Sequence, residues 1–256
     1  MRIFARSVGR LRLNRPGFRV ILEADQNPPQ GGTVMPTIFI LGDSTVEDNK
    51  PPFRGWGWAL PEFVAPGVKV ENHAMSGRSS LSFVNEGRFK PVQERMQKGD
   101  LLLIQFGHND EKDDAERHTD PHTTYPQQLS WYCDEAIARG AQPVLLTPVC
   151  RRFFTEPTSM MYTHGEYPAA VRKLAAERNI PLCDLKEASR ELFLSLGQDK
   201  TAELFVRLQP GENPDFPDGH DDKTHFNADG AKVICGLVVE LMRQHPQCIP
   251  FLKENA

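Results

Sequence analysis

Long hydrophobic runs are missing from this chain of 256 residues. No stretch approaches the roughly 18 apolar residues that a membrane-spanning helix needs, so the sequence predicts no membrane insertion. An excess of positive charge is missing too, because 30 Lys and Arg residues face 34 Asp and Glu residues, for a net charge of −4. Nucleic-acid binding depends on a basic face, and this composition gives no reason to expect one.

Cysteine is scarce, and its spacing fits neither a zinc site nor a redox pair. The five cysteines are widely separated, and none forms a CxxC pair. This pattern favours free thiols in a reducing compartment. Residues 1–18 are basic but lack a continuous apolar segment and a small-residue cleavage site, which argues against a secretory signal. The sequence therefore predicts a cytoplasmic protein.

The first 36 residues are predicted to form an N-terminal extension that ends in a linker. Residues 26–36 are rich in Pro, Gly and polar side chains, as linkers are. Residues 18–23 have the apolar content of an edge strand, and we assign them no function. Residues 37–256 are predicted to form one domain.

Short apolar runs alternate with helical patterns in that domain. Continuous apolar runs of this length are typical of parallel strands covered on both faces. Five strands are predicted at residues 37–41, 68–71, 101–106, 143–146 and 180–184. Four helices are predicted at residues 127–139, 167–178, 186–196 and 228–243. The alternation predicts a three-layer α/β/α fold around a flavodoxin-like, doubly wound parallel sheet of about five strands.

Polar motifs follow three of the strands, and a fourth precedes the last helix. Sites in such folds lie beyond the carboxyl ends of the strands, so these motifs are the places to search for chemistry. They are Gly42-Asp43-Ser44-Thr45, Asn72-His73-Ala74-Met75-Ser76-Gly77-Arg78, Gly107-His108-Asn109-Asp110 and Asp222-Lys223-Thr224-His225. Together they supply a serine, histidines, carboxylates and amide donors.

These residue types meet the requirements of acyl transfer. A serine hydroxyl needs an adjacent base, and the base needs a third residue to hold its tautomer; Ser44, His225 and Asp222 can fill these roles. In a helical turn, a spacing of three places Asp222 and His225 on one face. The oxyanion needs donors, and we expect them to be the N–H groups of Ser44 and Gly77 and the side-chain amide of Asn109.

The four motifs, in this order, resemble the sequence blocks of the SGNH (GDSL-type) hydrolases, over most of residues 37–243. The resemblance implies Ser44 as nucleophile, Gly77 and Asn109 in the oxyanion hole, and Asp222 and His225 as the rest of the triad.

The sequence resembles one branch of that superfamily more closely than the others. The GDST motif, together with residues 72–83, 147–154 and 164–175, resembles the rhamnogalacturonan acetylesterases. This resemblance implies removal of acetyl groups from pectic sugars without a metal or another cofactor. It does not extend to the residues before Met35.

Candidate substrate-binding residues surround these motifs. They are Asp43, Arg78, Arg151 and His164. Arginine binds carboxylates through two parallel hydrogen bonds, so Arg78, Arg151 and Arg152 are candidates for binding galacturonate; for Arg151 and Arg152 a surface ion pair is the alternative. Trp56 and Trp58 follow the nucleophile and can either stack on a sugar ring or pack against a helix.

Two clusters of acidic and histidine residues invite a metal site. One contains Asp110, Asp120 and His122, and the other contains His220 and Asp221 beside the triad aspartate. Their spacing matches no metal-binding template, so we favour a solvated loop for the first and the triad for the second.

The sequence thus predicts a serine esterase that removes O-acetyl groups from small pectic, rhamnogalacturonan-type oligosaccharides. A lipase, thioesterase or other acyl-ester hydrolase on the same fold is the first alternative, because the motifs do not determine which acyl chain is removed. A non-catalytic carbohydrate-binding protein is the second, and the intact set of four motifs argues against it. A nucleotide binder would need a glycine-rich phosphate loop after the first strand, and GDSTVEDNKPP is too acidic and glycine-poor for one.

Overall fold

The computed structural model describes residues 35–254. The predicted edge strand at residues 18–23, and the predicted extension up to residue 34, lie outside the described residues. The division of the chain into an extension of residues 1–36 and a domain of residues 37–256 stays a prediction. Within the described part, no helix is long and apolar enough to cross a membrane.

Strands of the described chain form one large sheet and two small ones. The strands are β1 (Thr37–Leu41), β2 (Lys69–Asn72), β3 (Leu101–Gln105), β4 (Gln142–Leu146), β5 (Phe154–Glu156), β6 (Ser159–Met160), β7 (Leu182–Cys183), β8 (Phe205–Leu208) and β9 (His220–Phe226). The large sheet has the order β2-β1-β3-β4-β7, and all its neighbours are parallel. This is the predicted flavodoxin-like sheet of five strands, and the predicted α/β fold class is confirmed.

Helices cover both faces of the large sheet. They are α1 (Ser80–Asn85), α2 (Lys90–Arg95), α3 (Thr124–Ala138), α4 (Tyr167–Arg178), α5 (Leu185–Ala202) and α6 (Ala228–Arg243). Phe39 and Leu41 of β1 belong to the core that α3 and α4 cover, whereas Ile38 and Ile40 belong to the core that α5 and α6 cover. Each of these buried side chains contributes about 1.5–3 kcal/mol. The predicted three layers are therefore present.

Some short elements were not predicted, namely α1, α2 and the hairpins β5–β6 and β8–β9. The single turns of α1 and α2 are too short to show an apolar stripe. Local hydrogen bonds stabilise α1 instead, because the side chains of Ser79 and Ser82 each accept from the backbone N–H of the other. Helix α5 is longer than predicted, and Gly197 at φ 74° interrupts it.

The sheet order places three loops together at the carboxyl edge. Strand β1 lies between β2 and β3, so the chain leaves β1 at the point where the strand order reverses. Ligands bind at such switch points in open α/β sheets. The loops after β1, β2 and β3 carry Ser44, Gly77 and Asn109, and the β8–β9 hairpin carries Asp222 and His225.

Candidate active site

Ser44 lies in a tight turn directly after β1. The carbonyl oxygen of Asp43 accepts from the N–H groups of Val46 and Glu47, at 3.1 and 3.0 Å, which closes the turn around the serine. The turn leaves the side chain of Ser44 partly exposed. Its Oγ atom lies 2.9 Å from Nε2 of His225, which is hydrogen-bonding distance.

Asp222 and His225 lie in a bulge of β9. Phe205 pairs with Phe226 and Arg207 pairs with Asp221, so residues 222–225 lie opposite the single residue between the two β8 partners. The predicted helical turn is wrong, because this segment belongs to an antiparallel hairpin. The bulge nevertheless brings the side chains together as the spacing suggested, since extra residues bend a strand and redirect its side chains.

The carboxylate of Asp222 organises the bulge. Its Oδ1 atom accepts from the N–H groups of Thr224 and His225, at 2.7 and 2.8 Å, and its Oδ2 atom lies 2.8 Å from Nδ1 of His225. Burial alone would raise the pKa of Asp222, but the hydrogen bonds and charge of His225, with the N–H of Thr224, outweigh it and hold this pKa below its ordinary value. Asp222 is therefore ionised at neutral pH and fixes the ring of His225.

Arg152 braces the same bulge from the loop after β4. Its Nη2 atom donates to Oδ1 of Asp221 at 2.6 Å and to the carbonyl of Asp222 at 3.0 Å. Its backbone N–H donates to the carbonyl of Lys223 at 2.8 Å, and its guanidinium lies 5.4 Å from the ring centroid of Phe205. Arg152 is 7% exposed and thus supports the bulge from inside.

The three donors predicted for the oxyanion each have an N–H that is not used within the described part of the protein. Within residues 35–254, the N–H groups of Ser44 and Gly77 donate to no protein acceptor. Gly77 has φ 78°, and the space beside its Cα is open. The side chain of Asn109 donates one N–H to the carbonyl of Arg78 at 3.1 Å, which leaves its second N–H available.

Hydrogen bonds connect the loop after β1 to the loop after β2. The side chain of Asn49 donates to the carbonyl of Ser44 at 3.0 Å and accepts from the hydroxyl of Ser76 at 3.0 Å. Glu47 accepts from the N–H of Ser76 at 2.6 Å and also from its hydroxyl. Glu47 and Asn49 were not identified from the sequence, and their polarity so soon after the serine is the only signal for them.

Asp110, next to Asn109, holds the third loop. Its carboxylate accepts from the N–H groups of Gly107 and Ser80 and from the hydroxyls of Ser80 and Thr119. Burial raises the pKa of Asp110 to about 6, although these hydrogen bonds oppose the rise. Asp110 therefore supports the loop that carries Asn109, and the partners of its carboxylate do not include Asp120 or His122.

Asp43 does not face the site. Its carboxylate is completely buried and accepts from the N–H and the hydroxyl of Thr45 at 2.9 and 2.8 Å, while its other oxygen lies 3.4 Å from Nδ1 of His108. Burial corrects the prediction that Asp43 contacts substrate. Asp43 instead stabilises the turn that carries Ser44, through its hydrogen bonds to Thr45.

His164 is also buried, with 2% of its surface exposed. Its ring packs against His108 at 4.3 Å between centroids, and its Nδ1 atom lies 3.0 Å from the hydroxyl of Thr163 and 3.2 Å from Nζ of Lys186. Burial lowers the pKa of His164 well below its ordinary value, so the ring is neutral. The structure therefore corrects the prediction that His164 contacts substrate.

The three predicted arginines are engaged by carboxylates of the protein. Arg78 donates through Nε to Glu86 at 3.0 Å and is 30% exposed. Arg151 lies 2.5 Å from Glu111 and is 15% exposed, which agrees with the ion pair considered for it. Arg152, which braces the bulge, is also in an ion pair. Arg78 is the most accessible of the three.

The tryptophans after the serine pack within the protein. Trp56 is buried, and its Nε1 donates to the side chain of Gln105 at 2.9 Å. Trp58 lies against the cations of Arg54 and Lys232, at 5.1 and 5.6 Å. Of the two roles considered for these tryptophans, packing within the protein therefore fits both better than stacking on a sugar ring.

Across residues 35–254, no cluster of His, Cys, Asp and Glu side chains is arranged to hold a metal ion. The chemistry that this geometry offers is a proton relay. An imidazole stands between a serine hydroxyl and an ionised carboxylate, so it is able to accept the serine proton while the carboxylate stabilises the resulting imidazolium.

Two proteins of Bacillus subtilis resemble the chain over most of its length. The chain is 44% identical to rhamnogalacturonan acetylesterase RhgT of Bacillus subtilis over 206 residues, which cover 79% of this chain and 88% of that protein. It is 36% identical over 210 residues to a second Bacillus subtilis protein, named "Probable rhamnogalacturonan acetylesterase YesY", covering 81% of this chain and 92% of that protein.

A solved structure has the same fold. The crystal structure of YxiM from Bacillus subtilis matches with a TM-score of 0.70 and 26% identity, over 82% of this chain and 56% of that chain, so our chain spans about half of YxiM. The model of the GDSL-like lipase/acylhydrolase family matches residues 40–233, and the predicted resemblance is confirmed. The chain therefore belongs to the GDSL-like lipase/acylhydrolase family.

Proposed function

We propose that this protein is a serine esterase that removes O-acetyl groups from small rhamnogalacturonan-type oligosaccharides. The observation that carries the proposal is the continuous contact from Ser44 through His225 to Asp222, at 2.9 and 2.8 Å. The names of RhgT and YesY support the sugar class. The three predicted donors supply what the oxyanion requires.

Acylation begins when Oγ of Ser44 attacks the carbonyl carbon of the acetyl group and Nε2 of His225 takes the hydroxyl proton. The carbonyl oxygen becomes an oxyanion, which the N–H groups of Ser44 and Gly77 and the amide of Asn109 stabilise. The carbon–oxygen bond to the sugar then breaks. His225 returns the proton to the sugar oxygen, and an acetyl ester of Ser44 remains.

Deacylation repeats these steps with water. His225 takes a proton from water as the water oxygen attacks the acetyl carbon, and it returns the proton to Ser44 when acetate leaves. Asp222 stays ionised throughout, because its pKa lies below the ordinary value. Its charge offsets the positive charge that develops on His225 in both half-reactions.

Arg78 is our candidate for binding a uronate carboxylate of the substrate. It follows Gly77 directly and is half-buried at the edge of the site, where Glu86 is its present partner. A substrate carboxylate can replace Glu86 as the partner of Arg78. Glu86 is 39% exposed, so water can solvate its carboxylate once the ion pair is broken. Arg151, which is more buried and paired with Glu111, is the weaker candidate.

We also propose that the enzyme acts in the cytoplasm, on oligosaccharides that have been imported. All five cysteines of the chain are free and buried. Unpaired thiols are typical of proteins in reducing compartments.

A panel of esters tests the function. Purified protein is incubated with acetylated rhamnogalacturonan oligosaccharides, acetylated xylo-oligosaccharides, and p-nitrophenyl esters of short and long acyl chains. We expect the highest kcat/KM for acetate release from the first substrate and no activity in Ser44→Ala. Ser195→Ala is the matched control, because Ser195 is exposed on α5.

Two results would contradict the proposal. A preference for long-chain esters would favour a lipase or thioesterase. Binding of the oligosaccharides without hydrolysis of any ester would favour a carbohydrate-binding protein.

A further inference from the structure

A second histidine contacts the carboxylate of Asp222. The Nε2 atom of His220 lies 3.0 Å from Oδ2 of Asp222, the same oxygen that lies 2.8 Å from Nδ1 of His225. Two imidazoles therefore share one carboxylate oxygen. Neither the four sequence motifs nor the proposed mechanism gives His220 a role.

The ring of His220 is held in place by aromatic neighbours. It packs against Phe216 with centroids 4.5 Å apart, and the ring of Phe53 approaches it edge-on at 6.1 Å. Phe53 also packs edge-on against His225, at 5.8 Å. His220 is 30% exposed, so water reaches it, but its direction towards Asp222 is fixed.

The contact from His220 completes the hydrogen bonding of the Asp222 carboxylate. Oδ1 accepts from two backbone N–H groups, at 2.7 and 2.8 Å, and Oδ2 faces both imidazoles. A carboxylate with contacts on both oxygens has little freedom to rotate about its side-chain bonds. His225 is then held at the angle that keeps its Nε2 on Ser44.

The imidazole of His220 is able to donate its Nε2–H to Oδ2 of Asp222 and so orient the carboxylate. The other charged groups around His220 are Asp218, Asp221 and Arg207, which line a shared cavity of about 330 Å³. Arg207 and Asp221 contact each other at 3.3 Å and so offset each other's charge in part.

We propose that His220 is a positioning residue for the triad: the hydrogen bond from its Nε2–H fixes the carboxylate of Asp222, and Asp222 in turn holds His225 against Ser44. This inference rests on the proposed function.

Two variants separate the hydrogen bond from the charge and from the packing. His220→Phe keeps a flat ring against Phe216 and Phe53 but has no donor. His220→Gln keeps an N–H donor of similar reach and never carries a charge. His122→Gln is the control, because His122 is exposed and lies in the loop before α3.

The measurements are kcat and KM for p-nitrophenyl acetate between pH 4 and pH 9, with thermal unfolding of each variant. For His220→Phe we expect kcat to fall by about five- to tenfold, the effect of one hydrogen bond, with KM almost unchanged. His220→Gln should recover most of kcat. His122→Gln should have the kcat and KM of the wild type.

Either of two outcomes would overturn the role of His220. One is that His220→Phe has the kcat of the wild type. The other is that His220→Gln is as impaired as His220→Phe and both melt earlier, which would indicate a purely structural residue. If Ser44→Ala retained full activity, the proposed function itself would fail, which is a different result from an unaffected His220 variant beside an inactive Ser44→Ala.

Discussion

The Nε2 atom of His225 lies 2.9 Å from Oγ of Ser44, although 181 residues separate the two in the chain. The serine follows a strand of the large parallel sheet, and the histidine belongs to a separate antiparallel hairpin. A backbone hydrogen bond of 2.9 Å from Arg54 to Phe226 attaches that hairpin to the loop after β1. The serine–histidine contact therefore depends on the side chains that hold the hairpin bulge in shape.

Arg152 is expected to be essential for that shape. Arg152→Met removes the hydrogen bonds to Asp221 and to the carbonyl of Asp222, so we expect kcat to fall by about tenfold or more and stability by about 1.5–3 kcal/mol. Arg207→Met is the control, because Arg207 contacts the same Asp221 oxygen but is 52% exposed. It should change stability by less than about 0.5 kcal/mol. If the two substitutions had equal effects on kcat and on the free energy of unfolding in urea, Arg152 would not be the residue that holds the bulge in shape.

Asn109 is expected to act on the transition state and not on substrate binding. Removal of one oxyanion donor costs about 10²–10³ in kcat, so Asn109→Ala should show a loss of this size with little change in KM. Asn85→Ala, at the exposed end of α1, is the control. Initial rates over a range of substrate concentrations measure both constants. A loss smaller than about threefold would exclude Asn109 from the oxyanion hole.

Gly77 allows backbone strain to be separated from catalysis. Gly77 and Gly87 have φ of 78° and 70°, and a Cβ atom meets nothing within 4 Å at either position. Alanine at either position should therefore cost about 1 kcal/mol of stability through backbone strain alone. Only Gly77→Ala should also lower kcat, because relief of the strain at φ 78° would turn its N–H, a proposed oxyanion donor, away from the oxyanion. Equal kcat values for the two variants would argue that the backbone conformation at Gly77 does not orient an oxyanion donor.

Asp222 is expected to make stability depend on acid pH. Its pKa is lower in the folded state than its ordinary value near 4, so the ionised carboxylate stabilises the fold above that value and loses this effect as the pH falls. Asp222→Asn should be less stable than the wild type at pH 7, and the difference should shrink below about pH 4. Urea unfolding at several pH values measures it, with Asp199→Asn, at an exposed site of α5, as control. A difference that does not vary with pH would contradict the assignment.

The sequence was most informative where apolar side chains are continuous. Ile38–Leu41 and Leu101–Ile104 are buried on both faces of the sheet, and uninterrupted apolar runs predict such strands directly. The ends of β7 were less predictable, because Leu182 and Cys183 are the only residues of residues 180–184 that pair with β4. Backbone pairing at a sheet edge is decided by the neighbouring strand and leaves little mark on composition.

The residues of the candidate site could be named from the sequence, but their local geometry could not. A spacing of three suggested a helical turn for Asp222 and His225, and the hairpin bulge produces the same contact by another route. Asp43 and His164 were placed at the substrate because the sequence does not reveal depth, and their burial depends on partners from distant loops. The contact of His220 with Asp222 was not predicted either, because it depends on the register of β9 against β8.

The central claim is that Ser44 is the nucleophile, and covalent labelling tests it most directly. Wild-type protein is treated with a fluorophosphonate, digested and examined by mass spectrometry, beside Ser44→Ala and His225→Ala. We predict a single label on the peptide that contains Ser44, no label in Ser44→Ala, and labelling slowed by several orders of magnitude in His225→Ala. An unlabelled wild-type protein, or a label that persists on another serine in Ser44→Ala, would contradict the account.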